Sequence, residues 1–405
     1  MSLIVQKFGG TSVADIARIR NVAERVAKTY DKGNDLVVIL SAMAGVTDSI
    51  IEMAKKVTDL PDKRELDVLL ATGEQTTAAL LAMTLKTMKY PAVSLLGFQA
   101  EVVTNRDFGN ARILEIGAGR IKEFIAKHNI IVMAGFQGCD AEGNITTLGR
   151  GGSDTSAVAI ASALNADVCE IYTDVKGIYT ADPRICKKAR KLSTISYDEM
   201  LEMASIGAKV LQIRSVEFAK KYNIPVHVRS SFSVEEGTMV VDEDSGMERL
   251  VVSGVTCHKD NARITLKKVS DQPGIAAKIF KPVADAGILV DMIIQNTRAG
   301  GQTDLTFTVS QADYEKTLEI EKEVAKEIGA EDVFGDKNIA KVSVTGVGMR
   351  SHSGVASKMF STLAKENINI MLISTSEIRI SCIVAEKYAE LAVRVLHRAF
   401  GLDKK

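Results

Sequence analysis

Tryptophan is absent from this 405-residue sequence, proline occurs six times and cysteine five. The cysteines, at 139, 169, 186, 257 and 382, are odd in number and never spaced CxxC, which argues against a disulfide framework and against a zinc ribbon. The five histidines are scattered, with neither HExxH nor a Ser/His/Asp signature, so metal-dependent and serine hydrolysis find no support. Net charge is also missing: Lys plus Arg and Asp plus Glu number 51 each, which gives no general attraction to nucleic acid or an anionic membrane and points to a small, specifically bound partner. No continuous apolar run approaches the roughly 18 residues of a spanning helix. The opening MSLIVQKFGG reads as a strand entering a glycine turn rather than as a signal peptide, so a cytoplasmic location is expected. GxxxxGK[ST] and GxGxxG are lacking too, which excludes a Walker A ATPase and weakens a dinucleotide reading.

What is present is an ordinary globular composition, 46% hydrophobic and 25% charged, long enough for two to three domains at roughly 150 residues each. Up to about residue 245, apolar runs (Leu3 to Phe8, Asp35 to Ser41, Ala92 to Leu96, Ile130 to Phe136, Val168 to Thr173, Pro225 to Arg229) alternate with helical patterns. One of these, Ile16 to Tyr30, ends near Gly33 as a C-cap. Continuous apolar strands between helices predict an α/β, three-layer αβα sandwich with a mostly parallel sheet, whose ligands gather beyond the carboxyl ends of the strands. A charged stretch, Asp242 to Glu248, reads as a linker. Beyond it the chain repeats: PGIAAKIF at 273 to 280 matches SGVASKMF at 353 to 360, and GILVDMIIQ at 287 to 295 matches NINIMLIST at 367 to 375, both offset by 80. Each copy predicts a ferredoxin-like βαββαβ module. The expected division is 1–245, 246–335 and 336–405, with a strand from about 250–258 available to the last module.

Three loops carry candidate chemistry. KFGGTS at 7 to 12 sets Lys7 at a strand end before Gly9 and Gly10, where unobstructed amides and an ammonium suit phosphate; a solvated lysine before an ordinary tight turn reads equally well. TTLGRGGSDTSA at 146 to 157 leads through glycines into a helix that Ser153 or Asp154 can cap, with Arg150 available to clamp a carboxylate; the plainer reading is a capped glycine loop with a surface arginine. YTDVKGIYTADPR at 172 to 184 puts Thr173 and Asp174 at a strand end and presents Tyr179 and Arg184 in a later turn, against the alternative of a polar loop. Weaker signals are Ser41 and Thr47 in SAMAGVTD, Glu74 in ATGEQTTA, able to hold an ammonium, and Lys209 in GAKVLQIRS; a helix start, an exposed glutamate and a solvated lysine explain these as well.

In this order, KFGGTS, SAMAGVTD, GE at 73 to 74, GRGGSD, YTDVKGIYTADPR, GAKVL and two C-terminal ACT-type modules make the chain resemble the aspartate kinases of the amino acid kinase family over nearly its whole length. The resemblance implies transfer of the ATP γ-phosphoryl group to the side-chain carboxylate of L-aspartate, the first step towards lysine, threonine and methionine, with Mg²⁺ accompanying ATP. By the same resemblance Lys7 stabilises the transferred charge and Gly9 and Gly10 cradle phosphates. Asp154 orients the lysine and the metal-phosphate end. Ser41, Thr47 and Ser153 line the substrate side, Glu74 takes the α-ammonium and Arg150 the α-carboxylate. Thr173, Asp174, Tyr179, Arg184 and Lys209 hold the nucleotide. Elementary chemistry agrees: a carboxylate is already nucleophilic at neutral pH, so catalysis reduces to bringing one anion up to another by positioning and charge neutralisation.

The ACT resemblance implies binding of lysine or threonine in the first module, at Asp271 and Gly274 in a strand-to-helix turn and at Asp291, Gln295 and Asn296 on the next strand; simple packing turns are the alternative. It further implies a homo-oligomer paired through these modules and a shorter regulatory subunit from an internal start at Met247. Two rival readings are a kinase for another amino acid or UMP and a catalytically silent amino acid sensor. KFGGTS, the GE pair and the ACT modules tell against the first, and intact Lys7, Arg150 and Asp154 against the second.

Overall fold

A computed structural model describes residues 2–205, 210–243, 251–298 and 301–404. Lys209 and Met247 lie outside the described residues, as does most of the expected linker. The chain divides into two compact units, 1–178 with 191–247, and 179–190 with 248–405. The second unit thus takes a twelve-residue excursion from within the first stretch of sequence.

The strands of the first unit are β1 (Leu3–Phe8), β2 (Asp35–Leu40), β3 (Ala92–Leu95), β4 (Val102–Thr104), β5 (Ile113–Ile116), β6 (Ile130–Ala134), β7 (Gln137–Cys139), β8 (Ile145–Thr147), β9 (Val168–Thr173), β10 (Thr194–Ser196), β11 (Val226–Ser230) and β12 (Thr238–Val241). Its helices are α1 (Ile16–Tyr30), α2 (Val46–Val57), α3 (Lys63–Thr87), α4 (Gly119–Ala126), α5 (Gly152–Leu164), α6 (Tyr197–Ser205) and α7 (Ile213–Tyr222). Eight strands form one sheet in the order β10-β12-β11-β9-β1-β2-β6-β3. It is parallel from β11 to β3, and the β12 edge runs antiparallel to β11. Both faces are covered, which is why β2 and β6 are apolar almost throughout. One face packs under α1 and α3 through Phe8, Leu36, Val38, Leu81 and Leu85. The other packs under α4 to α7 through Val5, Ile39, Met133, Val158 and Val216. This is the expected three-layer sandwich.

A small second sheet, β5-β4-β7-β8, contains the strand-like hairpin expected before the 146–157 glycines, but its other strands have no counterpart in the sequence pattern, because they are three or four residues long and carry no clear alternation. Helix α1 ends earlier than expected: its C-cap is Asp31, and Gly33 takes its left-handed conformation in the turn beyond. Helix α3, 25 residues long, is long and apolar enough by length and composition to cross a membrane, yet half of that stretch is buried in this unit and its inner face carries Asp67 and Glu74.

The second unit contains β13 (Gly254–His258), β14 (Ala262–Ser270), α8 (Ile275–Asp285), β15 (Ile293–Arg298), β16 (Gln302–Val309), α9 (Tyr314–Ile328), β17 (Asp332–Asp336), β18 (Ile339–Thr345), α10 (Val355–Lys365), β19 (Leu372–Thr375), β20 (Arg379–Ala385) and α11 (Ala389–Ala399). Residues 262–336 form a complete βαββαβ module with sheet order β15-β16-β14-β17. Among the described residues the second copy has no final strand of its own, and β13, from before the first copy, pairs with β18 in that position. The two modules meet through Met292, Ile339 and Ile383 and through an ion pair between Asp291 and the buried Lys341.

Candidate active site

The central strand β1 alternates its side chains between two environments. Gln6 points to the α1 face, where its amide donates to Glu170 at 2.8 Å and to Thr29 at 3.3 Å. Lys7 points to the α5 face, where its Nζ lies 2.5 Å from Asp154 Oδ1, both side chains about nine-tenths buried. By sequence Lys7 suits a solvated lysine and a site residue equally; in the structure it is held inside, against a carboxylate. Asp154 lies in the first turn of α5, which begins at Gly152 after Gly151 at φ +70°. Neither Ser153 nor Asp154 caps this helix, contrary to expectation, because the cap position falls on Gly151. Glycine is required there: a Cβ would collide with Gln212 in a backbone conformation that other residues rarely adopt. The first-turn amides are therefore left without a side-chain acceptor.

After β1 the chain turns tightly, the Gly9 amide donating to the Tyr172 carbonyl at 3.2 Å. A Cβ at Gly10 would sit 2.8 Å from the Ala42 carbonyl oxygen, so this turn packs directly on the loop that follows β2. The same loop meets α3: a Cβ at Gly73 would lie 2.7 Å from that of Ala42, and Thr77 donates to the Ser41 carbonyl at 2.9 Å. These close approaches bring Glu74 to the edge of the sheet. Its Oε1 accepts the Ala42 amide at 3.0 Å, while Oε2 is buried without a partner. Burial raises the Glu74 carboxyl from its ordinary 4.5 to about 7, against the opposing pull of the Ala42 amide. Thr47 is half-buried in the first turn of α2. Ser153 packs beside the turn after β6, where a Cβ at Gly135 would stand 3.0 Å from its own Cβ. Arg150, between two left-handed glycines, is exposed and enters no ion pair among the described residues.

Lys7, Gly9, Gly10, Ser41, Glu74, Ser153 and Asp154 therefore converge at the carboxyl ends of β1, β2 and β6. Thr173 and Asp174 end the adjacent β9, with the Thr173 hydroxyl donating to Asp174 at 3.2 Å and the Thr173 carbonyl accepting the Ser231 amide. Sequence reasoning missed the buried network behind them. Glu170 accepts Gln6, the Tyr172 hydroxyl at 3.0 Å and Arg229 at 2.8 Å, while Phe8 stacks on Tyr172 at 4.6 Å. Burial and the Glu170 charge push the Tyr172 phenol up to about 12. The available signal was a glutamine and a glutamate at paired positions in the middle of two neighbouring strands, LIVQKF and VCEIYT.

The amino acid kinase family matches residues 2–230, and the ACT domain matches 267–323 and 342–400. The aspartate kinase Ask_LysC of Stutzerimonas stutzeri is 55% identical over 404 residues, covering 100% of this chain and 98% of its own. The chain belongs to the aspartate kinases of the amino acid kinase family. The aspartokinase of Helicobacter pylori is 51% identical, covering 99% of this chain and 100% of its own. Among solved structures, E. coli aspartokinase III in complex with aspartate and ADP aligns with a TM-score of 0.80 at 26% identity, over 98% of this chain and 99% of that one. The same protein with lysine and aspartate aligns at 0.77. The enzyme is thus an ATP-dependent aspartate kinase with C-terminal ACT domains.

The remaining expected residues belong to the second unit. Tyr179 and Arg184 lie on the 179–190 excursion, where Arg184 pairs with Asp182 at 2.7 Å and holds that carboxyl below its usual range. Next to Tyr179, Thr180 is buried, its hydroxyl 2.9 Å from His397 Nε2 and its carbonyl accepting the Val255 amide. In the first ACT module, Asp271 and Gly274 occupy the β14–α8 turn, Gly274 capping α8 at φ +92°. Gln295 and Asn296 lie on β15, but Asp291 precedes that strand, and its carboxylate is taken up by Lys341 of the second module. A groove of about 800 Å³, lined by Lys259, Asp336, Asn338, Glu386, Glu390 and Arg394 among others, shares no residue with this set.

Proposed function

We propose that the enzyme transfers the γ-phosphoryl group of ATP to the side-chain carboxylate of L-aspartate, giving 4-phospho-L-aspartate, the first step towards lysine, threonine and methionine. The observation that carries this reading is the pairing, at one sheet edge, of the enclosed Lys7–Asp154 ion pair with the unpartnered Glu74 Oε2. The aspartate carboxylate needs no base. Its approach to a polyanion needs a fixed cation and amide dipoles, supplied by Lys7 and the Gly9–Gly10 turn. Glu74 receives the α-ammonium and Arg150 the α-carboxylate, with Ser41, Thr47 and Ser153 lining the substrate. Thr173, Asp174, Tyr179, Arg184 and Lys209 hold the nucleotide, an assignment that rests on the motif they share with the family.

No group of three or more metal-type side chains occurs among the described residues. The donor set, with hard carboxylate oxygens at Asp154 and Asp174, fits Mg²⁺ carried in on the ATP phosphates rather than caged by protein. When bound, Mg²⁺ supplies charge neutralisation at the phosphates, and Asp154 is the carboxylate that orients both it and Lys7. Lysine and/or threonine regulate the enzyme through Asp271, Gly274, Asp291, Gln295 and Asn296. The enzyme is a cytoplasmic homo-oligomer associated through the ACT modules, with a shorter subunit started at Met247. ATP-dependent hydroxamate formation from aspartate, run with and without lysine and threonine, tests these points together. Lys7→Ala should abolish turnover far more than nucleotide binding; near-normal kcat in that variant defeats the assignment, and full activity with both amino acids present rejects the regulatory one.

A further inference from the structure

Arg150 stands three residues beyond Thr147, on a loop that two helices of the first unit hold from either side. From α3, Asp67 reaches it with both carboxylate oxygens. Oδ2 accepts the amides of Thr147 at 2.8 Å and Gly109 at 3.0 Å, and Oδ1 accepts the Thr147 hydroxyl at 2.7 Å. From α7, Arg214 donates to the carbonyls of Leu148 at 2.6 Å and Ala111 at 3.0 Å. The Ala111 amide donates to the Thr147 carbonyl at 2.9 Å, and Gln212 fills the space beside Gly151. Asp67 is 1% exposed. Burial raises its carboxyl, and the three hydrogen bonds from Thr147 and Gly109 oppose that rise.

Seven residues further along the same helix is Glu74. Two turns of an α-helix return a side chain to the same face, about 10 Å along the axis. One rigid element therefore carries the group assigned to the ammonium and, through Asp67 and Thr147, the strand end that leads into the group assigned to the carboxylate.

We propose that Asp67 is a positioning residue for Arg150, so that α3 sets the spacing of the two groups that read the α-amino and α-carboxyl ends of the amino acid substrate. This rests on the assignment of Glu74 and Arg150 made above. Asp67 touches neither reactant. Its loss frees the Thr147–Arg150 loop on one side, and a misplaced clamp weakens binding of the end it holds.

The test is steady-state kinetics of the full-length enzyme with aspartate and ATP varied separately. Asp67→Ala should raise the aspartate KM about tenfold or more, the loss expected when hydrogen bonds that hold a clamp are removed, with the ATP KM changed less than about twofold. Asp67→Asn, whose oxygen can still accept both amides, should recover most of the aspartate affinity. In the Asp67→Ala/Arg150→Ala double variant the aspartate KM should be no worse than in Arg150→Ala alone, since the aspartate acts only through the arginine. Effects that multiply in the double variant, or that fall equally on both substrates, overturn the proposal. If Asp67→Ala does not fold, Thr147→Val and Thr147→Ser carry the same comparison. An Arg150→Ala enzyme with unchanged aspartate KM removes the site assignment and this inference together; a damaged Arg150→Ala beside an unaffected Asp67→Ala removes the inference alone.

Discussion

Glu74 makes the chemistry of the site measurable through pH. In the free enzyme its carboxyl is pushed up to about 7 because burial outweighs the opposing pull of the Ala42 amide and of its own backbone amide. An ammonium placed beside Oε2 favours the ionised form, so aspartate binds the deprotonated enzyme. The apparent aspartate KM then scales as 1 + 10^(pKa − pH), which is about 11 times its limiting value at pH 6, about 2 times at pH 7 and about 1.1 times at pH 8. Binding at pH 6.5 should release about three-quarters of a proton. The assay is aspartate kinetics at saturating ATP from pH 6 to 8, with calorimetric titration in two buffers of different ionisation heat. An aspartate KM that stays flat over this range, or heats independent of buffer, refutes the reasoning. Glu74→Gln keeps the acceptor for Ala42 but loses the charge, so the pH dependence should vanish and KM rise roughly 10- to 100-fold. The same group opposes folding at alkaline pH. A carboxyl raised in the folded state favours folding below its ordinary value, and that contribution is lost as pH rises through about 7. The gap between 4.5 and about 7 corresponds to at most about 3 kcal/mol, so Glu74→Gln should melt higher than the parent at pH 8 and much less so at pH 5.

The two glycines of the first turn should separate by substitution: Gly10→Ala meets the Ala42 carbonyl and should lose about 1–3 kcal/mol of stability by thermal melting. Gly9→Ala, whose nearest neighbour would be Lys7 Nζ at 3.6 Å, should fold normally yet bind ATP poorly, because the methyl group occupies the phosphate side; unchanged ATP kinetics would contradict the cradle. In the first ACT module Glu321 is fully buried on α9 with neither oxygen partnered, and burial raises it to about 7. Glu321→Leu should therefore stabilise the protein more at pH 8 than at pH 5, and a pH-independent difference in melting temperature would show that the carboxyl is not desolvated.

Legibility in the sequence followed how local each signal was. The loops KFGGTS, GRGGSD and YTD were readable because strand ends and glycine turns are written in consecutive residues, and the sheet gathers such ends along one edge. Their partners were not. Nothing in ATGEQTTA separates a buried Glu74 from an exposed one until Gly73 is seen packed on Ala42. The roles of Asp67, Glu170 and Arg229 are not written locally, since they depend on residues 80, 164 and 59 positions away. The capping expectation for Ser153 and Asp154 failed by two to three residues, because left-handed Gly151 starts the helix instead.

By itself the sequence determined the layered α/β architecture, the duplicated ferredoxin-like modules and the order of the loops that carry the chemistry, because apolar periodicity states which side of each element is buried. Only the tertiary structure decided that residues 179–190 pack with the second unit, and that Lys7 faces Asp154 while Gln6 faces Glu170. Those outcomes depend on which buried faces meet, and a local pattern says that a face is buried without naming what will cover it.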